Sequence, residues 1–142
     1  MKSSTDISKA LSPANFKDLC DAVEKGVDFA VVLGNFLDDF YLATTDKKIA
    51  MLALEPPKNA VITDVQLTYL AGIAEHLSKA FSLPMQSWVN KSQYFLSEDE
   101  ANYGGSDAKD TPPKLQFLFE METPLSFSKR NLFVSSNVLT RA

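Results

Sequence analysis

Apolar residues recur with helical spacing from Phe16 to Leu83. Phe16, Leu19, Cys20 and Val23 fall at i, i+3, i+4 and i+7, one face of a helix. Ser12-Pro13 supplies a favoured N-cap and first helical residue for it, and Gly26 a C-terminal stop. A second helix, from Val27 or Asp28 to about Ala43, carries Phe29, Val32, Leu33, Phe36 and Phe40 on one side, with Asp38 turned away and Asp39 at the flank. Thr45-Asp46 caps a short third helix through Met51 and Leu54, which Pro56-Pro57 stops. The strongest pattern follows. Thr63 with Gln66 forms a capping box and Ile62 with Leu67 the matching staple, opening a helix that runs to about Phe81. Leu67, Leu70, Ala74, Leu77 and Phe81 make one stripe, and Tyr69, Ile73 and Ala80 a second beside it. That leaves a narrow polar side of Thr68, Gly72, Glu75, Lys79 and Ser82. So wide an apolar arc predicts the central helix of a bundle, packed on more than one side.

Beyond Leu83-Pro84 the periodicity loosens. Trp88, Val89 and Tyr94-Phe95-Leu96 read as an irregular segment wrapped over the core. From Ser97 to Pro113 the chain turns acidic and rich in Gly and Pro, the composition of a mobile loop, although Ser97 with Glu100 can cap one turn. Calcium-loop spacing is missing from its acidic residues. Leu115, Phe117, Phe119 and Met121 alternate as in a strand, while Leu115, Leu118 and Phe119 fit a helix; Thr111-Pro112 tips the balance towards helix. Leu132-Phe133-Val134 looks extended, and Ser135 or Ser136 caps a last turn through Leu139. The expected fold is mainly α: one compact helical domain over residues 1–142 with a central helix. Its C-terminal third is irregular, with room for one short strand or hairpin, and residues 1–11 form a polar tail.

Composition narrows the chemistry. The 142 residues, 45% hydrophobic with ten Phe, suit a single globular core. Eighteen acidic against fourteen basic residues give a net charge of −4, which disfavours binding along a phosphate backbone. A single Cys excludes a disulfide framework and a Cys-rich zinc site, and a single His excludes a multi-His metal centre, so no cofactor or metal is expected. Neither a secretory h-region nor an apolar run of membrane-spanning length stands out, which predicts a cytoplasmic protein.

Candidate functional residues are correspondingly few. Cys20 belongs to a core stripe and reads as structural. Adjacent Asp38 and Asp39 diverge by about 100° on a helix and do not converge on a metal or an acid/base pair. His76, one turn from Tyr69, Ile73 and Ala80, is a general base or ligand on one reading and a hydrogen-bonded, half-buried His on the favoured one. Lys129 and Arg130 are conspicuous, because the chain has only two Arg, both within its last thirteen residues. Either Arg130 pins the C-terminal segment by pairing with a carboxylate such as Asp39 or Glu75, or Lys129 and Arg130 form an electropositive spot for an acidic group of a partner. With Trp88, these make Lys129, Arg130, His76 and Trp88 the candidate binding residues.

The ending Pro124-Leu125-Ser126-Phe127, Lys129-Arg130, Asn131, Leu132-Phe133-Val134 and Leu139 to Ala142 resembles that of a bacterial helical domain family. Leu70-Ala71, Ala74-Glu75-His76-Leu77, Leu83-Pro84, Trp88, Phe36-Leu37-Asp38-Asp39-Phe40 and Pro56-Pro57 extend the resemblance from about Val27 onward. Members of that family often carry an N-terminal helix–turn–helix. They are encoded beside nucleotidyltransferase-like proteins in pairs resembling toxin–antitoxin systems. This chain leaves no room for a helix–turn–helix before Ser12 and adds the acidic stretch between Ser97 and Thr111. The resemblance implies a protein-binding, antitoxin-like regulatory module with a protein partner, and homo-oligomers are compatible with it. The alternative is a small enzyme using His76 and Arg130, with Glu75 or Tyr69. Nucleic-acid binding through Lys129 and Arg130 ranks third.

Overall fold

A computed structural model describes residues 11–135 and residue 139. It is mainly helical, and its residues fall into two compact units that meet in sequence between Ile62 and Thr63. The expected N-terminal tail, save Leu11, and most of the expected last turn lie outside the described residues.

The first unit holds α1 (Phe16–Glu24), α2 (Phe29–Leu42) and α3 (Thr45–Ala53). Helix α1 starts later than Ser12-Pro13 suggests: Asn15 is the N-cap, its side-chain oxygen accepting from Asp18 N–H at 2.9 Å. An Asx cap directly before buried Phe16 satisfies an orphan amide of the first turn. Gly26, at φ +103, ends the helix as expected. Phe16 stacks on Phe36 at 4.9 Å, and Phe36 in turn on Phe40 at 6.4 Å, giving the aromatic stripe of α2 its packing. Asn59 ties the stretch after Pro56-Pro57 to α1, donating to the Cys20 carbonyl at 3.0 Å.

The second unit is built on α4 (Asp64–Ala80), with the expected Thr63–Gln66 capping box in place. Trp88, Val89 and Tyr94 are buried in two short 3₁₀ turns, Ser87–Asn90 and Ser92–Tyr94. The acidic stretch is more than a loop. Ser97 and Glu100 cap a 3₁₀ turn, and β1 (Asn102–Tyr103) and β2 (Ser106–Asp107) form a hairpin around Gly104-Gly105. Both glycines have positive φ, as a two-residue hairpin turn requires. Then come α5 (Pro113–Glu122), α6 (Leu125–Ser128) and β3 (Leu132–Phe133). Strand β3 runs parallel to β1, pairing Asn102 with Leu132 and Tyr103 with Phe133, whose rings stack at 4.7 Å. The acidic stretch therefore supplies the middle strand of a three-stranded sheet ordered β2-β1-β3.

The narrow polar side of α4 divides in two: Thr68, Gly72 and Glu75 are buried, while Lys79 and Ser82 are exposed. A Cβ on Gly72 would lie 2.5 Å from the Phe127 ring, so the glycine is what lets α6 lie against α4.

Candidate functional site

Glu75 and Arg130 come together inside the second unit. Glu75 stands in the middle of α4, and Arg130 follows the single turn of α6, whose Pro124 and Leu125 carbonyls hold Ser128 and Lys129 in helical register. The Arg130 side chain is 0% exposed and that of Glu75 2%. Arg130 Nη2 donates to Glu75 Oε1 at 2.7 Å. Three more of its donors are aimed at backbone: Nε at the Ser126 carbonyl (2.9 Å), and Nη1 at those of Val89 (2.8 Å) and Tyr94 (3.2 Å). The guanidinium also lies 4.4 Å over the Phe95 ring. Glu75 Oε2 accepts from Lys129 Nζ at 2.7 Å, from Lys79 Nζ at 2.8 Å and from Ser126 Oγ at 3.4 Å.

One carboxylate thus faces three cations. Burial pushes the Glu75 carboxyl up, but the hydrogen bonds from Lys129, Lys79 and Arg130 reverse this and hold it down at about 2. Burial pulls the Arg130 guanidinium down, and Glu75 opposes that shift. A buried charge is tolerated only when paired and hydrogen-bonded, and here both partners are. Chemically the arrangement is a clamp. Glu75 is ionised with both oxygens engaged, so it does not serve as a proton acceptor, and Arg130 is enclosed by its own chain.

Of the residues singled out by sequence, Arg130 and Lys129 therefore meet at Glu75, the second of the two carboxylates proposed for a pin. Arg130 is not part of any surface spot; Lys129 is partly exposed, and its amine turns to Glu75. His76 is half-buried, its ring 6.0 Å from that of Phe127, and burial followed by the charge of Lys79 lowers its basicity. Tyr69 flanks the same Phe127 ring at 5.6 Å, and burial pushes its phenol up to about 12. Trp88 is buried edge-on against Tyr94 at 5.3 Å. In the first unit, burial and then the Asp21 carboxylate push the Cys20 thiol up to about 12, which leaves it unreactive at neutral pH. Among the described residues no group of three or more His, Cys, Asp and Glu is placed to hold a metal ion. No described helix is long and apolar enough to cross a membrane.

The second feature is α5: the segment is the helix that Thr111-Pro112 favoured, but sequence reasoning passed over its outward apolar face. Its Gln116 donates to the Ala108 and Thr111 carbonyls (2.8 and 2.9 Å), and Glu120 accepts from the Tyr103 hydroxyl at 3.0 Å. Phe119 lies over Gly104, where a Cβ would come within 2.7 Å of the ring. The side that docks is therefore mostly polar. Leu115, Phe117, Leu118 and Met121 point outward, Phe117 60% and Met121 70% exposed, and Leu125 continues the patch. Unlike the other long helices described, α5 has no buried side chain. The signal was present in the sequence, since Gln116 and Glu120, four residues apart, are the only polar stripe between Leu115 and Met121, and once they are spent inside the fold only apolar side chains are left for solvent.

The chain matches no family model, no curated protein and no solved structure.

Proposed function

We propose that the protein is an interaction module that works by presenting α5 to another polypeptide. The single observation carrying this reading is the inverted helix: its polar side is spent on intramolecular hydrogen bonds while an apolar arc faces water. A monomeric protein gains nothing in solution from clustered exposed Leu, Phe and Met, whereas a docking face needs them. The Glu75–Arg130 clamp supports the same reading from the other side, because two of the residues that an enzyme site would draw on are consumed in holding the fold.

Photo-crosslinking from position 118 in the full chain, with position 120 on the docked side as control, tests the reading. A discrete adduct of defined composition from 118, lost when Phe117 and Met121 are both replaced by Ser, is the expected result. An adduct containing a second, different chain would be the antitoxin-like arrangement that the family resemblance implies. If position 118 gives no discrete adduct, α5 is not a docking face and the reading falls.

A further inference from the structure

The outward side of α5 carries charge as well as apolar surface. At 100° per residue, Phe117, Met121, Lys114, Leu118, Glu122 and Leu115 follow one another around an arc of about 160°. Both charged members are exposed, and neither has an ion-pair partner among the described residues. Lys114 and Glu122 lie four residues to either side of Leu118. We propose that a second copy of this chain seats on this face, the two α5 helices running antiparallel about a two-fold axis beside Leu118. This rests on reading α5 as a docking face, and it names the occupant.

The charge pattern selects that arrangement. Antiparallel helices centred on Leu118 bring Lys114 of each copy to Glu122 of the other, and Leu115 of each to Met121 of the other, while Leu118 meets its own equivalent. Parallel helices would oppose Lys114 to Lys114 and Glu122 to Glu122. A two-fold interface is self-complementary by construction, so one pattern on one helix specifies both halves. Antiparallel pairing also sets the helix dipoles against one another favourably. Rim charges of this kind add modest affinity and mainly fix register and orientation. Leu125, 68% exposed just beyond the helix, adds apolar surface outside Glu122.

Sedimentation of the full chain from micromolar to millimolar concentration, with charge-reversed variants, decides the matter. The wild-type chain is expected to dimerise. Lys114→Glu and Glu122→Lys each convert two attractive pairs into two repulsive ones and should weaken the dimer about tenfold. Mixing these two variants restores both attractive pairs, so the mixture should dimerise more tightly than either variant alone. Both residues are exposed, and circular dichroism confirms that the variants fold.

A wild-type chain that stays monomeric throughout overturns the proposal. So does a dimer that neither variant weakens, or a mixture no tighter than its components. Those failures leave the docking face itself to the crosslink from position 118: an adduct with a different chain keeps that reading, and no adduct removes it as well.

Discussion

Helix α4 carries a polar strip of Thr68, Gly72 and Glu75 and buries it, whereas α5 carries an apolar strip of Leu115, Phe117, Leu118 and Met121 and leaves it in water. The two helices belong to the same unit. What differs is the chain that comes back to them. To α4 returns a segment with an arginine, a lysine and a serine placed to satisfy a carboxylate, together with a phenylalanine that needs the space of a glycine. To α5 comes a hairpin and a turn offering a phenol and two carbonyls, which match a glutamate and a glutamine. A helix's own periodicity says which faces differ. Which of them is covered depends on the donors and acceptors that the rest of the chain supplies.

The largest loss is expected when half of the clamp is left in place. Arg130→Met strips the buried Glu75 of its guanidinium and frees the Val89 and Tyr94 carbonyls, and Glu75→Gln leaves Arg130 without its counter-charge. Each should cost about 3–5 kcal/mol in denaturant unfolding. Changing both together should cost less than the sum of the two, since the residues share one interaction. Losses under about 1 kcal/mol from both single variants would mean that the polar side of α4 is not held by charge. An unchanged stability with altered binding would return Arg130 to the docking role first considered for it.

Acid tests the same contact without mutation. Glu75 is held at about 2 against an ordinary value near 4.5, so the folded state binds its proton less readily than the unfolded state does. Its contribution, about 3 kcal/mol, is complete above pH 4.5 and is lost as the pH falls towards 2. The stability gap between the wild-type chain and Glu75→Gln should therefore close over that window. A gap that stays constant from pH 6 to 2 would show that Glu75 is not the titrating group. Gly72→Ala comes next in size, with an expected loss of about 1–3 kcal/mol because the Phe127 ring must shift.

The helices were legible where a face and its cap agree, as at Thr63–Gln66, or where the apolar stripe alone is strong, as along Phe29 to Phe40. The pin was legible as a pair of alternatives, because a rare Arg must have a reason, but only three-dimensional proximity chooses Glu75 over Asp39. The segment of Val89, Tyr94 and Phe95 was legible as a wrap over the core, but nothing in the sequence marked its carbonyls and ring as partners of Arg130, because backbone and aromatic partners brought in by 3₁₀ turns leave no pattern. Ser97 to Pro113 misled for a different reason. Two-residue strands are too short to show an alternation, so a hairpin that completes a sheet has the composition of a loop.

The smallest expected effect is the most informative about α5. Leu77 on α4 is buried, and Leu77→Ala should cost about 2–5 kcal/mol at any protein concentration. Phe117→Ser and Met121→Ser remove comparable apolar bulk from side chains that stand mainly in water. In dilute solution each should change unfolding stability by no more than about 0.5 kcal/mol. Concentration then separates a docking face from an idle one. If another copy binds the folded chain through α5, wild-type stability rises with protein concentration by mass action, and these two variants flatten that dependence while Leu77→Ala does not. A loss of more than about 1 kcal/mol from Phe117→Ser in dilute solution would show that the ring is packed against its own chain, and the contrast between α4 and α5 would disappear.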